Sequence, residues 1–227
     1  MKKLLICLLI LALLLCGCGP DVVVETQTYT EVLSATEPTK EFSLGTIENN
    51  IYTNVYAGWG CAFGEGWSFA DAAALQQLPE DVQTLIDGSE MGEVLPEYSQ
   101  IFDLAAENVD NYLAVNIVCT AISEAEQALY ASMTEEETID ATLENRDMIL
   151  ESYIQAGMEV ESIEKCQVTF LGQTHFGIHT IAYSGEIPIY MVQVMDYTQG
   201  TYGVTLTATS YLEDNTQAVL EMFYAVK

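Results

Sequence analysis

Apolar and polar residues alternate most regularly in the last third of the chain. Four alternating segments, 160–171, 174–183, 187–197 and 201–210, are joined by short links that contain glycine. Alternation with a period of two is typical of strands, and glycine links of two or three residues are typical of hairpin turns. The third segment is apolar at odd and even positions alike, as expected for a central strand covered on both faces. This pattern predicts a four-strand antiparallel meander.

The first half of the chain carries weaker strand signals. An Asn-Asn pair at 49–50 supplies turn residues between short apolar stretches, which predicts a hairpin over 46–53. A strand loosened by glycine is predicted over 55–63. Two further strands are predicted over 101–106 and 112–119, and the second alternates cleanly.

Five segments combine helical spacing of apolar residues with residues that favour helix starts or ends. Thr134 and Glu137 form a capping box at the start of the longest helix, and Gly157 closes it. Ser68 and Asp71 make a similar start for the first helix. The predicted helices span 69–78, 80–86, 123–133, 135–156 and 214–226.

The order of these elements predicts an α+β fold. Its core is a mostly antiparallel β-sheet that ends in the C-terminal four-strand meander, with helices packed on the sheet. The sequence shows no internal repeat and no second domain, and residues 46–227 are predicted to form a single globular domain. About 180 residues are enough to bury a sizeable core.

The N-terminus has the pattern of an exported lipoprotein. Two lysines precede an apolar run over 4–15, which at roughly 12 residues is shorter than the ~20 needed to span a bilayer. The string Leu-Cys-Gly-Cys that ends at Cys18 resembles the bacterial lipobox. That resemblance implies cleavage of a signal peptide (1–17) and a diacylglycerol thioether on Cys18. Cys16 fits less well, because Leu15 would then precede the modified residue. An uncleaved anchor helix is the alternative interpretation.

Residues 18–45 are predicted to be the lipidated N-terminus and a flexible tether. They show no sustained apolar pattern and contain two prolines. As a flexible coil such a segment spans roughly 30 Å. An edge strand at 22–24 is the alternative. We therefore expect a domain held at the outer, extracytoplasmic face of the cell membrane, with the membrane as a partner through the covalent lipid on Cys18.

The charge excludes one class of partner. The chain has 34 acidic and 6 basic residues, a formal net charge of −28, and loss of the two leader lysines makes it −30. Phosphate binding needs clustered Lys and Arg, so nucleic acid is excluded. Solubility is one interpretation of this acidity, and binding of cations or of a basic partner is another.

After cleavage of residues 1–17, three cysteines would remain besides Cys18. By strand parity, Cys61, Cys119 and Cys166 all point to the apolar side of their segments, which predicts small buried hydrophobic side chains. A Cys119–Cys166 disulfide is the alternative, since an odd number of cysteines in an exported domain invites a pairing.

Candidate chemistry is sparse. His175 and His179 have a His-x-x-x-His spacing, but on a strand they are roughly 13 Å apart along the chain, too far to share one zinc ion. We expect them to face solvent and keep them as weak metal candidates. The glycines near residue 60 lack the rest of a phosphate-binding loop, and no nucleophile elbow occurs. We therefore expect no cofactor and no enzymatic activity.

Four tyrosines on the meander are the candidate binding residues. Tyr183, Tyr190, Tyr197 and Tyr202 fall on its strands and are suited to form an exposed aromatic patch. Cross-strand packing beneath a helix is the alternative role for them.

Several short motifs resemble the PsbP-type fold, in the form found among lipoproteins of unknown function from Gram-positive bacteria. They are Tyr52-x-Asn54, Phe63-Gly64-Glu65-Gly66-Trp67-x-Phe69, Phe102-Asp103-Leu104, Thr134-Glu135-Glu136-Glu137 and the final meander with its helix. The resemblance covers residues 46–227, and related chains usually have proline in place of Gly64. It implies a compact antiparallel sheet flanked by helices that serves as a docking or assembly module without an active site.

Together these features predict a lipid-anchored, extracytoplasmic, non-enzymatic domain that binds a protein or cell-wall component through one sheet face. Two alternatives remain. One is a module that binds cations or a small cationic ligand, and the other is a hydrolase whose carboxylates meet only in the fold.

Overall fold

A computed structural model describes residues 41–71, 74–75, 100–198 and 200–226. These residues form eleven strands in two antiparallel sheets and four helices. The mixed architecture with antiparallel sheets is as predicted. The signal sequence, Cys18, the tether up to residue 40 and the predicted helix over 80–86 lie outside the described residues.

The smaller sheet has the order β1-β2-β3-β11. Its strands are β1 (Thr46–Glu48), β2 (Ile51–Asn54), β3 (Trp59–Ala62) and β11 (Phe223–Ala225). The predicted Asn-Asn hairpin is confirmed: Asn49 and Asn50 have φ angles of 52° and 61°, the left-handed pair that a tight two-residue turn requires. The third strand is shorter than predicted, because residues 55–58 form a turn with Gly58 at φ 73°.

The larger sheet has seven strands in the order β4-β5-β6-β10-β9-β8-β7. They are β4 (Trp67–Phe69), β5 (Gln100–Asn108), β6 (Leu113–Ala121), β7 (Glu159–Phe170), β8 (Gln173–Ser184), β9 (Ile187–Asp196) and β10 (Tyr202–Tyr211). Strands β7 to β10 pair in sequence, which confirms the meander.

The large sheet is the middle of three layers. The small sheet packs on one face, where Val192 and Val194 of β9 join its core. Helices cover the other face, where Ile189 and Met191 join a second core. Strand β9 is thus covered on both sides along its central residues, as its apolar pattern predicted.

The helices are α1 (Glu124–Ser132), α2 (Glu135–Glu144), α3 (Arg146–Gln155) and α4 (Thr216–Leu220). The Thr134–Glu137 capping box at the start of α2 is confirmed, and Gly157 ends α3 with φ 79°. The predicted single helix over 135–156 is wrong, because Asn145 (φ −92°, ψ 24°) separates α2 from α3. Asparagine has low helix propensity, since its side chain competes for backbone hydrogen bonds.

The predicted C-terminal helix over 214–226 is also wrong beyond its first turns. Helix α4 ends at Leu220, and β11 then adds to β3, with Phe223 opposite Cys61 and the amide of Val226 donating to the carbonyl of Gly58. Val219 and Phe223 are both buried. A short apolar stretch fits the period of a helix and the period of a strand equally well. Residues 223–225 form a strand because they pair with the open edge of β3.

The start of the first predicted helix is displaced. Ser68 lies in β4, and Asp71 is the capping residue instead: its side chain accepts from the amide of Ala74 at 2.8 Å. Residues 74–75 are helical, and the rest of that predicted helix lies outside the described residues.

A buried carboxylate joins the two sheets. Asp103 is the extra residue of a β-bulge in β5, and it accepts hydrogen bonds from the Gly45 amide (2.6 Å), the Tyr52 hydroxyl (2.5 Å) and the Asn54 side-chain amide (2.6 Å). Burial, and next the charge of Asp103, raise the pKa of Tyr52 well above its usual value. The phenol therefore stays protonated and donates.

Candidate functional site

The most distinctive feature of the meander is a fork between β8 and β9. The two strands pair from Ser184 opposite Ile187 to Ile178 opposite Gln193, where the register ends. Residues 173–177 of β8 continue paired with β7, and residues 194–196 of β9 continue paired with β10. We call the junction at Ile178 and Gln193 the fork.

Gly177 lies at the fork because the backbones approach closely there. A Cβ atom on Gly177 would lie 2.6 Å from the carbonyl oxygen of Gln193, closer than real Cβ contacts. Glycine is the residue that permits such an approach. The strands are therefore held together at this point and separate beyond it.

The separated strand ends open a cleft of about 410 Å³, which we call the fork cleft. It is lined by residues 57–59, 170–171 and 194–198, by His175, and by four residues of the helical layer, Tyr130, Met133, Glu135 and Thr138. The cleft thus draws on all three layers of the fold, at one end of the large sheet. Its size falls in the range of small-molecule sites, roughly 300–1,000 Å³.

Two carboxylates supply charge to the fork cleft. Glu135, in the first turn of α2, contacts His175 through Oε1 at 2.8 Å from Nδ1. Asp196, at the end of β9, accepts from the amide and hydroxyl of Thr198 at 2.9 and 2.7 Å. Both residues are half-buried, so their charges are screened less than on an open surface.

Aromatic rings pack around the same space. Trp59 and Phe170 meet edge to face, with ring centroids 5.2 Å apart and an interplanar angle of 88°. Tyr130 and Tyr197 are stacked at 4.5 Å and 21°. These four side chains are buried, with 1–8% of their surface exposed, and we call the small ring areas that they present to the cleft the aromatic floor.

The four predicted binding tyrosines do not lie together. Tyr183 and Tyr190 are diagonal neighbours on one face of β8 and β9, and the Tyr183 hydroxyl donates to Glu161 at 2.6 Å. This hydrogen bond is the main reason that the pKa of Tyr183 is raised. Tyr197 lies seven residues further along, roughly 23 Å at the usual rise of a strand.

The other two tyrosines have separate environments. Tyr197 is buried in the core beneath the helices and lines the fork cleft. Tyr202 lies on the opposite face, stacked on Phe42 with ring centroids 3.8 Å apart, while its backbone exchanges hydrogen bonds with the Tyr56 hydroxyl. One continuous patch of all four is therefore not formed.

The two histidines are half-buried rather than solvent-facing. His175 contacts Glu135, and His179 contacts Asp214 at 3.0 Å through Nε2. They bond to different carboxylates on different elements. Within the described ranges, no group of three or more His, Cys, Asp or Glu side chains is arranged to hold a metal ion.

The three cysteines among the described residues form no disulfide. Cys61 and Cys119 are buried as predicted, and Cys166 is half-buried. The alternative Cys119–Cys166 disulfide is wrong, because three strands separate β6 from β7 in the sheet, on the order of 19 Å. Burial raises the pKa of Cys61 to about 12 and that of Cys166 to about 11, so neither thiol is activated as a nucleophile.

Sequence reasoning missed the fork cleft and its carboxylates. Glu135 was noted only as part of a helix start, and Asp196 only as part of a strand. The early ending of the β8–β9 register is set by long-range pairing. The single local signal is Gly177 within a strand, which indicates a close backbone approach.

Of the helices in the described part of the chain, none has the length and apolar character needed to cross a bilayer. Neither a scan against protein-family models nor a search of curated proteins finds a significant match for this chain.

Proposed function

We propose that this chain is a lipid-anchored domain on the outer face of the cell membrane that binds a small ligand in the fork cleft and catalyses no reaction. The fork cleft carries the proposal, because it is a concave site with an aromatic floor and a few convergent polar groups. Small-molecule sites generally have this composition. The lipobox-like sequence at Cys18 supports the location.

The arrangement of groups in the cleft favours binding over catalysis. The His175 imidazole is bonded through Nδ1 to the Glu135 carboxylate. The Thr138 side chain donates its hydroxyl proton to the Thr134 carbonyl at 3.2 Å. A nucleophilic mechanism needs a hydroxyl or thiol hydrogen-bonded to the base, and the Thr138 hydroxyl bonds to the Thr134 carbonyl instead of to His175.

The resemblance to the PsbP-type fold is a further part of the proposal. Two antiparallel sheets with helices packed on one face agree with an α+β module of that kind. Membership in this fold type would imply a binding role without an active site, which is compatible with the fork cleft.

A protein or cell-wall component is the second candidate partner. Tyr183 and Tyr190 are diagonal neighbours on one face at the end of the meander opposite the cleft. Tyrosine is typical of binding surfaces. Crosslinking on intact cells, with Tyr183→Ala and Tyr190→Ala as comparisons, tests this surface separately from the cleft.

A ligand screen tests the main proposal. The mature chain is screened by thermal shift against small cations, anions and neutral compounds, and hits are repeated on Thr138→Trp, which fills the cleft from α2. The matched control is Ala131→Trp, which adds the same ring at an exposed position of α1. We expect Thr138→Trp to abolish stabilisation and Ala131→Trp to retain it. No hits, or hits that survive Thr138→Trp, would refute ligand binding in the cleft.

A further inference from the structure

The charged groups of the fork cleft are mainly carboxylates, and the one histidine in its lining, His175, is paired with Glu135. Of the described residues that line it, none is lysine or arginine, whereas Glu135 and Asp196 are both present. Lys165 on β7 is paired with Glu136 at 2.9 Å and with Asp140 at 2.7 Å, both on α2. The net charge of −28 adds a negative field around the whole domain. An anionic ligand is therefore disfavoured, and a cation is attracted.

The cleft walls distinguish an organic cation from a metal ion. Calcium requires about six to eight oxygen ligands, and the cleft presents two carboxylates among Trp59, Tyr130, Met133 and Phe170 side chains. Aromatic and thioether groups are poor ligands for a hydrated metal ion such as calcium. They do pack favourably against the carbon part of an alkylammonium ligand, through apolar contact.

We propose that the ligand of the fork cleft is a small organic cation with an ammonium group, held by the carboxylates of Glu135 and Asp196 over the aromatic floor. This inference rests on the proposed function, that the cleft binds a ligand at all. The ammonium group meets the carboxylates of Glu135 and Asp196, which both line the cleft. The carbon part of the ligand lies toward Trp59 and Phe170.

Half-burial of the Glu135 and Asp196 carboxylates strengthens their attraction for a bound cation. The Glu135 side chain is 33% exposed, so a cation that binds beside it enters a region of lower effective dielectric than bulk water. A carboxylate has two oxygens and about four acceptor positions. The single contact of Glu135 Oε1 with His175 leaves capacity for a further donor.

Isothermal titration calorimetry on the mature full-length chain tests this directly. The probes are choline, spermidine, calcium chloride and 3,3-dimethylbutan-1-ol, which is the neutral carbon analogue of choline. We expect saturable binding of at least one ammonium probe and none of the neutral analogue. Glu135→Gln and Asp196→Asn should each weaken the ammonium probe about tenfold, because each removes one charged hydrogen-bond acceptor.

The control variant is Glu186→Gln, which removes the same charge at an exposed turn at the other end of β8 and β9. It should leave the affinity within about twofold. An equal loss in Glu186→Gln would mean diffuse charge attraction and would overturn the inference. So would absence of binding by both ammonium probes, equal binding of the neutral analogue, or competitive displacement of the ammonium probe by calcium.

These outcomes separate the two proposals. Equal binding of choline and its neutral analogue, lost in Thr138→Trp, would keep the cleft as a ligand site and reject the ammonium specificity. Ammonium binding that persists in Thr138→Trp would reject the cleft itself.

Discussion

Replacing Asp103 by alanine should loosen the contact between the two sheets. The Asp103 carboxylate accepts three hydrogen bonds, and two of the donors, the Tyr52 hydroxyl and the Asn54 amide, belong to side chains with 0% exposure. The third donor, the Gly45 amide, is only partly buried. In Asp103→Ala the two buried donors lose their acceptor, while water can replace it for Gly45.

The expected loss follows from these two orphaned donors. A buried donor left without a partner costs about 1–3 kcal/mol, so Asp103→Ala should reduce the free energy of unfolding by about 4 kcal/mol. That is a large fraction of the roughly 5–15 kcal/mol typical of a single domain. Tyr52→Phe removes one donor and leaves the carboxylate two others. It should cost about 1–2 kcal/mol.

Urea unfolding of the non-acylated chain from residue 19, followed by fluorescence of the buried Trp59, measures both losses. A double-mutant cycle isolates the pair: Asp103→Ala should cost at least about 1 kcal/mol less in the Tyr52→Phe background, since one orphaned donor is then already gone. Additive losses, or a loss below about 1 kcal/mol in Asp103→Ala, would refute the role of this network.

Three further outcomes are expected. Cys18→Ala should abolish fatty-acid labelling and leave unprocessed precursor or released protein in cell fractions; unchanged labelling would contradict the anchor. Gly177→Ala should lower the free energy of unfolding by about 1–3 kcal/mol, because its Cβ meets the Gln193 carbonyl, whereas Gly64→Ala, which meets nothing within 4 Å, should not. Burial raises the pKa of Cys61 to about 12. The stability that this protonated thiol contributes is therefore complete below about pH 9 and is lost as pH rises toward 12. Cys61→Ala should reduce the slope of this decline by up to about 1.4 kcal/mol per pH unit.

Local signals predicted the elements that depend on neighbouring residues. The meander followed from alternation and glycine links, and the start of α2 from Thr134 and Glu137. Strand parity placed Cys61 and Cys119 in the core. In each case the determining residues are close in sequence, and tertiary contacts reinforce the local preference.

The wrong predictions concern segments whose structure depends on contacts between residues that are distant in sequence. Residues 223–225 pair with β3, about 160 positions earlier in the chain, and nothing in their own spacing favours a strand over a helix. The break at Asn145 combines the low helix propensity of asparagine with the separate packing of α2 and α3 on the sheet. The fork could not be predicted from the sequence for the same reason. The alternation of β8 continues unchanged through Gly177, although its pairing with β9 ends there.

The hydrogen bond between Gly45 and Asp103 has a mechanical meaning. If a lipid on Cys18 anchors the chain to the membrane, a pulling force on the domain is transmitted along residues 19–41. It reaches the folded domain first at Phe42, which stacks on Tyr202, and then at Gly45. Strand β1, an edge strand of three exposed residues, follows directly. Without further contacts, such a short edge strand separates easily from its sheet under force. The 2.6 Å hydrogen bond from the Gly45 amide to Asp103 transmits the force directly to the seven-stranded sheet. The domain can therefore resist the force without separation of the β1–β2 hairpin.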